Sequence, residues 1–541
     1  MTFIIRSFAL AFLPCNEISS AVMTYLAVPI AAKDLQEAKT QIGAAVAAGA
    51  ELLELRTDYL EGLSTDSVRA VISEARRADN NLPIIVTCRD PKQGGAREHP
   101  IELRIKVLLN ALQAGADYID FEYENFIPTE NQEKIRVALA RSSKTRLILS
   151  AHNFETRFDN IGRLCRDIVA ACPGAIPKLV YTANHINDCF ETLDLLHKTT
   201  GERIVLCMGA AGLIVRLLAA KLGGLVTFAS IDDEKATAPG QVTVEQFRRL
   251  YRAGEITAET SLFGVIANPV GHSLSPAIHN ACFAEAGLDC LYLPLLVQGG
   301  RPEFEAFMRN VISRKWLGLR GFSITIPHKE NALEFTRAQT GYIEPLAEKI
   351  GAVNTLVITA DSRLKAYNTD YAGALDAVTE NMAISREQLA DVPVAVVGAG
   401  GVSRAIVAGL ADAGAEVTIY NRTFKRARAL AAEFGCTARP LDDLGGLDAK
   451  LLINCTSIGM HPEVDRSAVP KECLNDDMTV FDTVYNPVRT LLLKQAEAAG
   501  ARTIDGVSMF VNQAMAQFKL FTGLDGNAEL MRRTVLSHLS H

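Results

Sequence analysis

The chain has 541 residues, 48% of them hydrophobic and 22% charged, with a formal net charge of -7. That length exceeds one hydrophobic core, so we expect two to four domains of ordinary globular composition. The acidic balance argues against nucleic acid or an anionic membrane as a partner, and no apolar run reaches the roughly 18 residues of a membrane span.

The eleven cysteines are scattered and include no Cys-x-x-Cys pair. We therefore expect no metal site and no disulfide framework, and a reducing, cytoplasmic compartment is favoured. Residues 1–22 carry an arginine before FALAFL, which faintly resembles a signal peptide but is short. We expect this stretch to be a disordered extension, or translation to begin at Met23, directly before the first predicted strand.

Apolar strands alternate with helical stretches in the first half of the chain. The predicted strands are 24–30, 50–58, 82–89, 117–123, 145–154, 176–183, 203–209 and 225–231. Eight β-α units over about 230 residues are typical of a (β/α)8 barrel, for which an open doubly wound sheet is the alternative. We assign residues 23–257 to this α/β domain.

Charged side chains cluster at the carboxyl ends of these strands, where barrel enzymes carry their chemistry. ELRTD places Glu54, Arg56 and Asp58 at two-residue spacing, which predicts one shared strand face. Arg89 ends the third predicted strand. A buried ion-pair network is the alternative to a catalytic interpretation.

A lysine and a histidine lie on predicted neighbouring strands. Lys178 is inside the sixth strand, in IPKLVYT, and His152 ends the fifth, in SAHNF. Burial of a lysine favours its neutral amine, a nucleophile toward carbonyls, although the side chain could also extend to the barrel end. With a histidine beside it, Schiff-base chemistry with proton transfer is the better interpretation.

Residues from about 24 to 250 resemble type I 3-dehydroquinate dehydratases. The matching pieces are ELRTD, TCRD, SAHNF, IPKLV, CMG followed by Arg216, and TAPGQ. The resemblance implies a Schiff base on Lys178, proton removal by His152 and a bidentate contact of Arg216 with a substrate carboxylate. It also implies that the rest of the pocket is formed by Glu54, Arg56, Arg89, Met208 and Phe228, and closed by Thr237 and Gln241.

One position departs from that family. RDPKQGG has Gln93 where the family usually has a glutamate that supports the catalytic histidine. A neutral amide can still hydrogen-bond an imidazole, but it stabilises the imidazolium less than a carboxylate does.

The second half also alternates strand and helix. We assign a substrate-binding domain to 258–375, completed by C-terminal helices within 507–541, and a Rossmann domain to 376–506. VVGAGGVSRA opens a helix after a strand, a pattern typical of dinucleotide binding. Its cofactor-binding residues are predicted to be Gly398, Ala399, Gly400, Gly401 and Val402, while Ser403 takes the place of the third glycine.

The following strand ends in NRT rather than in an acid. An acid there would hold the ribose diol of NAD, whereas Asn421, Arg422, Thr423 and then Arg426 suit a 2′-phosphate. The sequence therefore favours NADP(H), and a solvated basic helix start is the alternative.

The set of polar strand ends in this half resembles shikimate dehydrogenase from about residue 261 to 541. The matching pieces are NPVGHSLSPAIHN, GFSITIPHKE, GAVNTLV, AYNTDYAG, NCTSIGM, FDTVYNP and DGVSMFVNQA. The resemblance implies Lys329 and Asp370 as the catalytic pair. It implies substrate contacts by Ser273, Ser275, Thr325, Asn354, Tyr485 and Gln513, and cofactor contacts by Asn454, Thr456, Gly506 and Met509.

Together the halves resemble bifunctional enzymes in which the product of the first reaction, 3-dehydroshikimate, is the substrate of the second. The expected small molecules are 3-dehydroquinate, 3-dehydroshikimate and shikimate. Three alternatives remain: a quinate dehydrogenase half, possibly with NAD; a class I aldolase barrel; and a regulatory protein whose barrel binds metabolites without turnover.

Overall fold

A computed structural model describes residues 24–142, 144–232 and 241–539, so the extension 1–22 and Thr237 lie outside the described residues. Three sheets follow one another along the chain, of eight, six and six strands. No helix in the described ranges is both long and apolar enough to cross a membrane.

The first sheet is a nearly closed parallel barrel. Its strands are β1 (Tyr25–Ile30), β2 (Leu52–Arg56), β3 (Ile84–Thr87), β4 (Tyr118–Glu122), β5 (Arg146–Asn153), β6 (Ile176–Thr182), β7 (Ile204–Met208) and β8 (Val226–Phe228). Each strand pairs with the next through β7, and β8 pairs with β1. The Leu225 amide donates to the Arg203 carbonyl at 2.8 Å and links β8 to β7. The barrel prediction is thus confirmed over an open sheet.

Helices surround this barrel. They are α1 (Leu35–Ala48), α2 (Thr65–Ala78), α3 (Ile101–Gln113), α4 (Tyr123–Phe126), α5 (Thr129–Ala140), α6 (Ile161–Ala171), α7 (Cys189–Lys198) and α8 (Leu213–Leu217). In α2, a Ser64 capping box begins the helix, and Val68, Val71, Ile72 and Ala75 are buried at helical spacing.

The second sheet is mixed, in the order β10-β9-β11-β13-β14-β12. Its strands are β9 (Ser261–Ala267), β10 (Cys290–Leu296), β11 (Leu319–Ile324), β12 (Tyr342–Ile343), β13 (Thr355–Ile358) and β14 (Leu364–Tyr367). Its helices are α9 (Ser275–Glu285), α10 (Arg301–Ser313), α11 (Lys329–Ala338), α12 (Pro345–Ile350) and α13 (Thr369–Met382).

The third sheet is parallel, in the order β17-β16-β15-β18-β19-β20. Its strands are β15 (Pro393–Val397), β16 (Glu416–Asn421), β17 (Thr437–Pro440), β18 (Leu451–Asn454), β19 (Thr479–Asp482) and β20 (Arg502–Ile504). Its helices are α14 (Gly401–Asp412), α15 (Phe424–Phe434) and α16 (Leu491–Ala498). This is the doubly wound arrangement expected for a Rossmann domain.

Two C-terminal helices, α17 (Gly506–Thr522) and α18 (Ala528–Leu539), pack back on the second sheet. Phe518 of α17 and Met531 of α18 share an apolar cluster with Phe263 and Phe283. This packing also brings Gln517 of α17 to the carboxyl end of β11 and the amino end of β13.

The barrel contacts the second half of the chain through α7. Phe190 packs against Phe307 with ring centroids 5.9 Å apart, and His197 stacks on Trp316 at 4.0 Å. The Arg314 guanidinium donates to both carboxylate oxygens of Asp194 at 2.9 Å. This interface therefore combines aromatic packing with a bidentate ion pair.

Candidate active sites

Lys178 lies in β6 with its ammonium inside the barrel. Its Nζ donates to Glu54 Oε1 at 3.0 Å and to Asp120 Oδ2 at 2.8 Å. The ring of Phe228 lies beneath the ammonium, 4.8 Å from Nζ to the centroid. Lys178 is therefore buried, but two carboxylates neutralise it, so it must give up a proton before it can attack a carbonyl.

Asp120 and Glu122 of β4 were not predicted as site residues. The Arg89 guanidinium donates to Asp120 at 3.0 and 2.7 Å and to Glu122 at 3.0 Å. Ser150 donates to Asp120 Oδ1 at 2.6 Å. The ion-pair network considered as an alternative is thus present, and it holds the predicted catalytic lysine. DYIDFEY carried the signal: two acids at i and i+2 in an otherwise apolar buried strand.

His152 lies in β5, the neighbour of β6, as predicted. Its Nδ1 lies 3.2 Å from Oε1 of Gln93, and its backbone amide donates to the same oxygen at 3.1 Å. Burial, with the positive charges of Arg89 and Lys178, lowers the pKa of His152 well below its ordinary value. The imidazole is therefore neutral near pH 7 and able to accept a proton.

Two sequence predictions about strand ends are wrong. The second strand ends at Arg56, and Asp58 lies in the turn Thr57–Tyr59, so the three charges do not share one strand face. Instead Asp58 accepts two bonds from Arg56, at 3.0 and 2.8 Å, and one from the Ala96 amide at 3.0 Å. The third strand ends at Thr87, two residues before Arg89. Asp58 thereby ties down the loop that carries Gln93.

Arg216, in α8, is buried with 2% of its surface exposed. No described atom lies within hydrogen-bond distance of its Nε, and burial lowers its pKa to about 10. None of the described carboxylates forms an ion pair with this buried guanidinium, and an unpaired buried charge is costly, so the position favours an anion. One pocket is lined by Arg216 together with Glu54, Arg56, Arg89, Gln93, His152, Lys178, Met208, Phe228 and Gln241. Every predicted barrel residue except Thr237, which is not described, lines this pocket.

The second site is built at the ends of β11, β13 and β14. Lys329 begins α11, and its Nζ donates to Asp370 Oδ2 at 2.6 Å. Asn354 donates to the other oxygen of Asp370 at 2.9 Å. Asp370 lies in the first turn of α13, where the helix dipole favours a carboxylate. Lys329 and Asp370 are therefore in contact, as predicted, and Asn354 holds the second oxygen of the carboxylate.

The predicted substrate-binding residues lie on separate segments of the second half of the chain. The Ser275 amide donates to the Ser273 hydroxyl at 3.3 Å at the start of α9. Tyr485 stacks on Phe510 at 5.2 Å, and it lines the same cavity as Ser273. Thr325 follows β11, and its carbonyl accepts the His328 amide at 2.9 Å. Gln513, on α17, donates to the Phe510 carbonyl at 3.1 Å and is largely buried.

The glycine turn between β15 and α14 leaves its backbone open. Gly398 has φ 118°, and a Cβ there would lie 3.0 Å from Ser403 Oγ and 3.1 Å from Thr456 Cγ2. By contrast, a Cβ at Gly400 or Gly401 would meet no atom within 4 Å. Ser403 accepts the Gly400 amide at 3.3 Å, which explains a serine at the third motif position. Ala399 and Val402 complete this turn, which leaves room for a pyrophosphate at the α14 N-terminus.

Among the remaining predicted cofactor residues, some are exposed and others are buried. Arg422, Thr423 and Arg426 are exposed beyond the end of β16, where Asn421 donates to the Thr423 carbonyl at 2.9 Å. Asn454, in contrast, is fully buried. It donates to Asp482 at 2.9 Å and accepts the Thr456 amide at 3.0 Å, so it shapes the loop from behind.

Gly506 begins α17 where a Cβ would lie 2.5 Å from the Val484 carbonyl oxygen, which requires glycine for this close approach. Met509, one turn on, packs in the apolar cluster of the third sheet. Both residues therefore set the position of α17 against the Rossmann domain.

One cavity reaches residues of all three sheet domains. This cavity of about 2130 Å³ is lined by Ala210 and Gln241 of the barrel, Ser273 of the second sheet domain, and Gly400 and Thr456 of the third. Gln241 also lines the barrel pocket.

Fold and sites together define a lysine-bearing barrel enzyme joined to a two-domain dehydrogenase, and family profiles agree. Profiles described as Type I 3-dehydroquinase, Shikimate dehydrogenase substrate binding domain, Shikimate / quinate 5-dehydrogenase and Shikimate 5'-dehydrogenase C-terminal domain match residues 26–258, 265–356, 381–484 and 506–536.

Similar proteins cover the chain as a whole and in part. The chloroplastic bifunctional 3-dehydroquinate dehydratase/shikimate dehydrogenase of Arabidopsis thaliana is 34% identical over 525 residues, 93% of this chain and 83% of the relative. Shikimate dehydrogenase (NADP(+)) of Methanosarcina barkeri is 43% identical over 287 residues, 51% of this chain and 98% of the relative. A crystal structure of Thermus thermophilus shikimate 5-dehydrogenase with NADP(H) and shikimate is 34% identical, with a TM-score of 0.45, and covers 51% of this chain and 99% of its own.

The chain belongs to the family of bifunctional 3-dehydroquinate dehydratase/shikimate dehydrogenases. It carries a lyase domain and an oxidoreductase on one polypeptide.

Proposed function

We propose that the barrel dehydrates 3-dehydroquinate to 3-dehydroshikimate and that the second half reduces this product to shikimate with NADPH. For the barrel, the main supporting observation is that one pocket contains Lys178, His152 and Arg216, whose buried guanidinium favours an anion. For the second half it is the Lys329–Asp370 contact.

In the barrel, Lys178 first transfers a proton toward Glu54, and its amine then adds to the substrate ketone. Loss of water gives the imine and links Lys178 to the ring carbon. His152 removes the proton beside the imine, and the β-hydroxyl leaves as water after protonation by His152. Hydrolysis of the imine releases 3-dehydroshikimate and returns the amine. Arg216 holds the substrate carboxylate in a bidentate contact.

In the second half, Lys329 and Asp370, which are hydrogen-bonded to each other, both lie beside the proposed position of the substrate hydroxyl. Bound NADPH supplies the hydride for the reduction. Lys329 donates a proton to the carbonyl oxygen as charge develops on it, and Asp370 holds the ammonium in place. Ser273, Ser275 and Tyr485 bind the substrate carboxylate, and Thr325, Asn354 and Gln513 bind ring hydroxyls. The open backbone at Gly400 and Gly401 and the exposed Arg422 fit a pyrophosphate and a 2′-phosphate.

The division into 23–257, 258–375 with 507–541, and 376–506 is also part of the proposal, and the three separate sheets support it. The ten described cysteines are free thiols, which supports a reducing, cytoplasmic location.

One experiment tests both halves. The full chain is given 3-dehydroquinate and NADPH, and enone absorbance and NADPH consumption are followed together. Unaltered protein should consume NADPH without accumulating the enone. Lys178→Met should neither form the enone nor consume NADPH. Lys329→Met should accumulate the enone while NADPH remains.

Borohydride with 3-dehydroquinate should trap a covalent adduct on Lys178, identified by peptide mass. Enone formation by Lys178→Met would overturn the Schiff-base mechanism. Turnover of quinate faster than shikimate would assign the second half to quinate instead.

A further inference from the structure

Five hydrogen bonds, the first four of them buried, connect the phenol of Tyr292 to the carboxylate of Asp370. Tyr292 donates to Ser323 at 2.6 Å, and Ser323 donates to Gln517 Oε1 at 2.7 Å. Gln517 Nε2 donates to Thr355 at 3.1 Å, and Thr355 donates to Asn354 Oδ1 at 2.8 Å. Asn354 Nδ2 then donates to Asp370 Oδ1 at 2.9 Å. We name these side chains the Tyr292–Asp370 chain.

Every donor in the Tyr292–Asp370 chain points the same way. An ionised carboxylate only accepts, so Asn354 must present its amide nitrogen to Asp370 and its oxygen to Thr355. The Thr355 hydroxyl, having donated, accepts from the amide nitrogen of Gln517. The oxygen of Gln517 must then accept from Ser323. The orientation of each amide is thus set by its neighbours.

The members of the chain are shielded from water. Tyr292 and Thr355 are fully buried, Gln517 and Asn354 are 2% exposed and Ser323 is 6% exposed. The Tyr292–Asp370 chain crosses five elements. Ser323 and Thr355 are paired neighbours on β11 and β13, Gln517 reaches them from α17, and the two end members lie on β10 and α13. It therefore fixes α17 against β11, which ends at the candidate site, and against β13, which begins there.

We propose that Ser323, Gln517 and Thr355 are positioning residues for the dehydrogenase reaction, acting through Asn354 on Asp370. This proposal rests on the proposed function of the Lys329–Asp370 pair. Asn354 has a second anchor, since its oxygen also accepts the Thr369 amide at 2.7 Å. Loss of the chain should therefore loosen Asn354 rather than release it, and the effect should fall on turnover, where small misplacements matter most.

The test uses Thr355→Val, which keeps the side-chain shape and removes the hydroxyl link, and Thr355→Ser, which keeps the link. Ser323→Ala breaks the chain at a second point. Thr336→Val is the matched control, because this buried hydroxyl donates only to the Ala332 carbonyl of its own helix. Kinetics of shikimate oxidation are measured in the full chain, and circular dichroism of each variant reports intact folding.

Thr355→Val and Ser323→Ala should each lower kcat for shikimate oxidation about 5- to 20-fold with a smaller change in KM. The double variant should be no slower than the worse single one. Either substitution alone already interrupts the Tyr292–Asp370 chain, so the second should add no further loss. Thr355→Ser and Thr336→Val should stay within about twofold.

Unchanged kcat in Thr355→Val, or multiplied losses in the double variant, would overturn the proposal. So would an equal loss in Thr355→Ser or in Thr336→Val. If the unaltered chain failed to oxidise shikimate at all, the proposed function itself would be at fault instead.

Discussion

Oδ2 of Asp120 accepts hydrogen bonds from both Lys178, at 2.8 Å, and Arg89, at 2.7 Å. One carboxylate thus serves two buried cations inside the barrel, one on the proposed nucleophile and one on the pocket wall. Burial alone would raise the pKa of Asp120, but Arg89 and Lys178 lower it instead. Asp120 is therefore ionised whenever the barrel is folded near neutral pH.

Asp120→Asn should weaken the barrel and its chemistry together. Removing one partner leaves buried charge uncompensated, so we expect a loss of about 3–5 kcal/mol in the free energy of unfolding and a large loss of dehydratase rate. The stabilisation by Asp120 is present above the ordinary carboxyl pKa of about 3.9 and is lost as pH falls toward its depressed folded-state value.

Denaturant unfolding followed by circular dichroism and dehydratase assays measures these effects. Asp66→Asn is the control, because that carboxylate lies in the same barrel but is 90% exposed. A variant as stable and active as the unaltered chain would show that Asp120 is dispensable.

The sequence predicted the frame of this site but not its contacts. Apolar runs located all eight barrel strands, because parallel strands buried on both faces are apolar throughout. The two-residue spacing of side chains failed at Asp58, because the strand ends at Arg56 and the chain turns there. Asp120 is not predicted as a site residue, because the apolar residues around it identify its strand only as a buried element of the barrel. Ser323 and Gln517 lie 194 positions apart, and no local pattern predicts that they meet.

Arg422→Ala should discriminate between cofactors. The exposed guanidinium can make a bidentate, charge-assisted contact worth roughly 1.5–3 kcal/mol with a 2′-phosphate. We expect the KM for NADP to rise by about one to two orders of magnitude and NAD usage to stay nearly constant. Arg428→Ala removes the same charge from an exposed position on α15. It should change neither the KM for NADP nor the use of NAD. Equal losses with both cofactors would rule out this role.

Lys329→Ala should lower kcat for shikimate far more than it raises KM. Its ammonium, 2.6 Å from Asp370, interacts most strongly when charge develops on the substrate oxygen, so its loss should appear in the transition state. Steady-state kinetics with shikimate measure both constants, and the dehydratase rate of the same sample serves as control. Unchanged kcat with a raised KM would reassign Lys329 to binding.

Gln93→Glu should shift the pH dependence of the dehydratase. Oε1 of Gln93 lies 3.2 Å from Nδ1 of His152, so a carboxylate there would stabilise the imidazolium and raise the pKa of His152. In the unaltered chain burial and the neighbouring cations hold that pKa well below its ordinary value. A base acts only when unprotonated, so the acid limb of the pH–rate profile should move to higher pH in the variant.

The dehydrogenase profile of the same Gln93→Glu chain is the internal control and should not move. Gln93→Leu separates charge from contact: it removes the bond to His152 without adding an anion, so its acid limb should not move upward. The dehydratase rate at its optimum need not rise, because Arg56, Asp58 and the loop they fix are arranged around an amide. An acid limb that stays in place in an active Gln93→Glu variant would mean that Gln93 does not tune His152 in solution.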